Sequence, residues 1–197
     1  FGVLLGLVVA VVRSAHDQQR LGRRNPVLGV LNVLCQIYTT VIRGTPMLVQ
    51  LFIWTFVIFP TQRNKVLVAF IGLGVNSGAY VAEIIRGGIM SIDEGQMEAG
   101  RSLGFGYVST MRYIILPQAF KAVLPTLANE FIVLLKETAV AGYVGLTDVT
   151  YAGNIIGGNC YDYLFPLLMS ALIYLILVMF FTFLVGKLER RLRSNER

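Results

Sequence analysis

From residue 165 to residue 185 the chain carries no charged side chain. That run is the strongest constraint on the fold. A helix of about 20 apolar residues is long enough to cross the hydrocarbon core of a bilayer. Lipid offers no partner for peptide groups, so such a segment must satisfy its own backbone as a helix. Residues 66–85 repeat the pattern with one charge, Glu83. Two further apolar runs, 38–60 and 122–145, and a shorter one at 1–12 bring the set to about five segments. Composition agrees: of 197 residues 55% are hydrophobic and only 14% charged, against about 25% charged in soluble domains. The expected fold class is all-α, a polytopic membrane protein forming one transmembrane domain over 1–197. Residues 1–12 are too few to cross, so the first helix is expected to be truncated and the native N-terminus longer.

The breaks between the runs are polar. Residues 13–24 read as a basic loop, and Asn25-Pro26 starts a helix over 27–42. Arg43-Gly44-Thr45-Pro46 interrupts that helix, and 61–64 form a short turn. Gly72, Gly74, Ser77, Gly78, Ala79 and Ala82 make the third span rich in small residues, which lets neighbouring helices approach closely. Glu83 and Arg86 stand three apart near its end and suit an interfacial ion pair. Residues 146–163 read as a Gly-rich, aromatic external loop that could hold a short helix.

In this order, 14–37, 87–120 and 187–197 fall on one side of the membrane. That side holds Arg20, Arg23, Arg24, Arg101, Arg112 and the basic residues of the tail, while the other holds Arg63 and Lys65. The net charge of +6 is thus explained by basic loops facing the cytoplasm rather than by nucleic acid, and the C-terminus is expected inside. Cys35 and Cys160, the only cysteines, fall on opposite sides, so no disulfide is expected. His16, the only histidine, is expected to be a solvated loop residue.

Residues 91–117 stand apart because they are polar, short and flanked by spans. Ser91 and Glu94 have capping-box spacing, and Asp93 adds negative charge at the positive end of a helix dipole. Glu98 and Arg101 can pair at three residues' separation. Gly104 fits the left-handed position that ends a helix, and Ser109 could cap the next one. A helix this short needs something to dock against.

Glu98-Ala99-Gly100, three residues, Gly104, nine residues, Ile114, one residue and Leu116-Pro117 resemble the EAA motif of ABC importer permeases. The one departure is Gly100, where the motif usually has a second Ala. Gly there loosens a helix by about 1 kcal/mol relative to Ala. The resemblance covers about residues 40–188 and includes the RGTP segment at 43–46, AYVAEIIRGGI at 79–89 and LLKETAV at 134–140, all similar to polar amino-acid permeases of the glutamine/histidine type. It implies the type I importer permease architecture in a prokaryotic inner membrane. It also implies that Glu98, Ala99, Gly100, Arg101, Leu103, Gly104 and Phe105 form a coupling helix docking on an ATP-binding subunit. The implied partners are that ATPase, which would hold ATP and Mg²⁺, a second permease subunit and an extracytoplasmic amino-acid-binding protein. No cofactor is expected on this chain.

The residues agree with borrowed energy. No G-x-x-x-x-G-K-[ST], H-E-x-x-H, CxxC or G-x-S-x-G occurs in the sequence, so the chain has no phosphate loop and no hydrolase motif. No internal repeat is visible, which favours a pathway between two subunits. Asn129, Glu130, Lys136 and Glu137 lie in the fourth apolar run. Charges facing lipid cost about 2.5–3.5 kcal/mol each, so these four are expected to face the bundle interior. There they either contact a zwitterionic solute or join helix to helix. Other readings stay open at this point: a permease for another solute, a lipid-acting enzyme using Glu130, Lys136 and Glu137, or a non-transporting scaffold. Co-purification of a nucleotide-binding subunit would favour a permease, and turnover of lipid the enzyme.

Overall fold

The computed structural model describes residues 1–17 and 25–194. Their regular elements are helices: α1 (Gly2–Asp17), α2 (Pro26–Gly44), α3 (Met47–Phe52, continued as a π-helix over Ile53–Ile58), α4 (Lys65–Met90), α5 (Glu94–Ser102), α6 (Tyr107–Thr110, then a π stretch over Met111–Ile115), α7 (Leu116–Glu137, tightening to a 3₁₀ turn over Thr138–Val144), α8 (Val149–Cys160) and α9 (Leu164–Ser194). Among the described residues, four stretches are long and apolar enough to cross a membrane: Pro26–Gly44, Lys65–Met90, Tyr107–Val144 and Leu164–Arg191. Met47–Ile58 is a shorter apolar helix.

Two compact units share the chain, the first made of Phe1–Gly44 and Ser77–Leu127, the second of Thr45–Asn76 and Ala128–Arg197.

In the first unit, small residues set the packing. A Cβ on Gly6 of α1 would lie 2.5 Å from Val81 Cγ1 and 2.8 Å from the Gly78 carbonyl of α4. A Cβ on Gly78 would meet Leu5 and the Tyr38 hydroxyl at 3.0 Å. Ala10, Ala79 and Ala82 are buried. The small residues thus let the second half of α4 pack closely, as expected, and the structure shows its neighbours to be α1 and α2. A second cluster, Ile89, Ile115 and Ala119, gathers Ile85, Ile92, Met97, Met111 and Ile114. A side chain on Gly88 would run into Val123.

In the second unit, Leu51, Ala69 and Val144 form a core with Met47, Phe52, Leu73, Val140 and Leu146. Gln50 ties it together: its Nε2 donates to the Thr45 carbonyl at 3.0 Å and to Thr45 Oγ1 at 2.8 Å, and its Oε1 accepts from Asn76 Nδ2 at 3.0 Å. Helix α8 starts on Asp148, whose carboxylate accepts from the Thr150 and Tyr151 amides. It lies on α9 with Gly153 against Ser170 and Gly157 against Tyr163. Over its apolar window α9 is only 6% buried, which leaves nearly its whole surface for lipid or another chain.

The structure corrects several boundaries. The expected span over 38–60 is two helices. Pro46 has no amide to donate and sits extended, with ψ of 136°, so the chain stops at Gly44 and restarts at Met47. Helix α4 runs five residues past the expected end, to Met90. The fourth span does not begin afresh at 122. Helix continues from Tyr107 through Pro117, with a wider π turn over Met111–Ile115 just before the proline. Most of the expected loop 146–163 is α8. Residues 13–17 are helical rather than loop, which places His16 half-buried on α1 instead of in solvent. Helix α9 extends into the basic tail. Arg20, Arg23, Arg24 and Arg197 lie outside the described residues. Cys35 and Cys160 are both free thiols.

Candidate functional site

Helix α5 is a self-contained peg. Its N-cap is Asp93 and not Ser91: the Gly95 amide donates to Asp93 Oδ1 at 2.6 Å. The Ser91 hydroxyl is engaged with the Gly88 carbonyl at 2.9 Å, closing the last turn of α4. Asp93 wins because its carboxylate both accepts the free amide and meets the positive helix end. At the other end Phe105 N donates to the Gly100 carbonyl at 3.0 Å and Gly104 N to the Arg101 carbonyl at 2.9 Å. That pair of bonds is a Schellman closure, and it requires the left-handed backbone that Gly104 supplies at φ +83°. The helix-ending role read for Gly104 is therefore what the backbone does. Ser109 does not cap the next helix; Gly106 occupies the N-cap position of α6.

One side of the peg is anchored and the other is bare. Met97 joins the Ile89–Ile115–Ala119 cluster, and Gln96 reaches Gln118 at 3.4 Å. Gly100 is buried against α6: a Cβ there would lie 2.5 Å from Thr110 Cγ2 and 2.8 Å from Thr110 Oγ1. Glycine at the motif's departure is thus the residue that fits. By contrast Glu98, Ala99, Arg101, Leu103, Gly104 and Phe105 are all exposed. Leu103 is 74% and Val108 74% exposed, a density of bare apolar surface that asks for a partner. The expected Glu98–Arg101 ion pair is absent among the described residues. Both charges instead line a cleft with Asp17, Asp93 and Glu94.

On α7, Asn129 and Lys136 are exposed, whereas Glu130 and Glu137 are half-buried. Within this single chain Asn129 and Lys136 lie on the uncovered side of α7. Seven residues is nearly two helical turns, so the two share one outward stripe. Shielding them from lipid falls to water or to a second chain.

Sequence reasoning missed the ionic cluster around Arg13. Its Nη1 donates to Thr39 Oγ1 of α2 at 3.1 Å and to Glu83 of α4. Arg86 Nη1 pairs with Asp17 at 2.9 Å and its Nε with Glu83 at 3.4 Å. A signal existed: Arg13 and Asp17 stand one turn apart on α1, as Glu83 and Arg86 do on α4, with opposite signs.

A profile described as binding-protein-dependent transport system inner membrane component matches residues 2–194. The chain belongs to that family. It is 41% identical over 185 residues to the arginine transport system permease protein ArtQ of Bacillus subtilis (strain 168), covering 86% of this chain and 84% of that protein. It is 40% identical over 196 residues to a putative glutamine transport system permease protein GlnP of Rickettsia typhi, covering 98% and 87%. A crystal structure of an amino acid ABC transporter with histidines superposes with TM-score 0.82 at 38% identity, over 96% of this chain and 86% of that one. The inward-facing MetNI methionine ABC transporter shares the fold, with TM-score 0.79 at 20% identity over 97% and 87%. The chain is therefore an inner-membrane transport component with an all-helical permease fold.

Proposed function

We propose that this chain is the permease subunit of an ABC importer for polar amino acids. It pairs with a second permease subunit, alike or merely similar, to line the pathway, and an extracytoplasmic binding protein delivers the solute. ATP and Mg²⁺ belong to a partner ATPase that docks on α5, and the C-terminus is cytoplasmic. One observation carries the energy-coupling part: a peg closed at both ends by its own hydrogen bonds, anchored by Met97 and Gly100, and bare over Glu98, Arg101, Leu103 and Phe105. Docking there changes the permease only if the ATPase favours one permease conformation over another when nucleotide is bound. The relatives' names, arginine and glutamine transport permeases, support the solute class.

The stripe on α7 supplies candidate solute contacts. A zwitterion needs a cation for its carboxylate and an acceptor for its ammonium, and Lys136 with Glu130, Glu137 and the Asn129 amide offers both. The test is reconstitution with the ATPase and binding protein in proteoliposomes, followed by uptake of labelled arginine, glutamine and histidine. Solute-stimulated ATP hydrolysis with uptake of at least one is expected; neither occurring refutes the reading. Glu130→Gln is expected to raise the half-saturating concentration about tenfold or more, since a hydrogen bond to a charge is worth about 1.5–3 kcal/mol. Unchanged selectivity and half-saturation make Glu130 a packing residue.

A further inference from the structure

The geometry points to Arg13, Asp17, Glu83 and Arg86 as a positioning ladder that makes α1 move with the coupling segment. Two ionic rungs join the same two helices. The inner rung is Arg13 to Glu83, with side chains 11% and 21% exposed. The outer rung is Arg86 to Asp17 at 2.9 Å, with side chains 29% and 27% exposed. Arg86 also reaches Glu83 at 3.4 Å, so the rungs are cross-braced, and Thr39 adds α2 through its bond to Arg13. Two positive and two negative groups cancel, as groups withdrawn from water must.

The ladder's place on α4 gives it its role. Arg86 lies four residues before the end of α4 at Met90, and Asp93 then caps α5. Any displacement of α5 therefore reaches the outer rung within about one and a half turns of helix. Deeper in, Gly6 sits against Val81 and the Gly78 carbonyl, so the same two helices also touch without long side chains between them. Close backbone contact fixes their distance. It does not stop sliding along the axis, because small residues present a smooth surface. Two directional ion pairs a turn apart resist that sliding: a shift by one turn would set Arg13 toward Arg86, and like charges repel. The ladder thus holds the register of α1 on α4.

This inference rests on the coupling role of α5, and the test separates the two. The complete transporter is reconstituted with Cys35 and Cys160 replaced by Ser, and uptake per ATP hydrolysed is measured. Asp17→Cys with Arg86→Cys removes the outer, partly exposed rung without emptying the core. With thiols free, uptake per ATP is expected to fall about tenfold, within the 5–150-fold range of coupling between sites, while basal hydrolysis persists. Bridging the thiols with a short bifunctional thiosulfonate is expected to restore it to about twofold of the parent. A purely structural role would lower the amount of assembled transporter and leave uptake per ATP unchanged. That outcome, or inhibition by the bridge, overturns the ladder. Failure of the α5 reading looks different: Gly104→Val would then leave solute-stimulated hydrolysis intact with the ladder untouched.

Discussion

In the first unit the buried polar link centred on Arg13 is ionic; in the second the buried link centred on Gln50 is made of neutral amides. Arg13 and Glu83 meet between α1 and α4, about one turn inward of the Asp17–Arg86 pair. Asn76 donates to Gln50, which donates in turn to Thr45. An amide both gives and receives, so a line of amides can close a gap left by the backbone, and here it does. Pro46 cuts the helix, and Gln50 supplies the donor that the Thr45 carbonyl needs. An ion pair cannot relay in that way, but it has sign, and sign distinguishes one register from the next. The unit that carries the coupling segment uses sign, and the unit with the broken helix uses relay.

The comparison makes graded predictions. The largest effect belongs to Glu83→Leu, which leaves Arg13 buried without its carboxylate. About 3–5 kcal/mol of stability should be lost, seen as a lower yield of assembled complex and a depressed Tm. Adding Arg13→Met should recover most of it, because an apolar pair of similar size has no charge to strand. Next comes Gln50→Leu, which strands the Asn76 donor and the Thr45 carbonyl at about 1–3 kcal/mol. If Gln50→Leu costs as much as Glu83→Leu, the distinction between ions and amides collapses. The smallest effect on stability is at Gly104, on the surface of α5. Gly104→Val forces a β-branched residue into positive φ for about 1–3 kcal/mol of local strain. Fraying of the exposed peg should absorb much of that. Thermal stability should barely move, while solute-stimulated ATP hydrolysis drops; a large Tm shift with normal stimulation would contradict the placement of α5 outside the core.

What could be read from the sequence was what periodicity and local chemistry encode. The charge-free run at 165–185, the small residues of α4 and the turn at Gly104 are each written in a single stretch of sequence, and each is found as expected. The errors came from competition and from distance. The sequence points to Ser91 as the cap and to Asp93 as a helix-end charge; in the fold Ser91 is engaged with the Gly88 carbonyl and Asp93 takes the free amide. The fourth run starts late, at 122, in the sequence because the π turn before Pro117 has no sequence signature. Arg13 and Glu83 are 70 positions apart, and no local pattern announces such a pair. The candidate coupling residues were legible as a motif. Their division into an anchored side and a bare side was not, since it depends on where Thr110 and Ile115 pack. The α7 residues illustrate the same limit: helical spacing put Asn129 and Lys136 on one face correctly, but which way that face turns is set by the rest of the chain.

Gly100 and Thr110 also constrain the order in which this chain can change. The alanine usual in the motif would bring a methyl group to 2.5 Å from Thr110 Cγ2, a separation that close-packed interiors do not tolerate without rearrangement. Alanine at 100 needs position 110 to shrink first, to Ala; a Ser keeping its hydroxyl at the Oγ1 position would still stand 2.8 Å from the new methyl. Taken in the reverse order, the intermediate has to push the peg off the helix that anchors it. With Thr110 in place, glycine at 100 is what keeps the peg seated on its anchor.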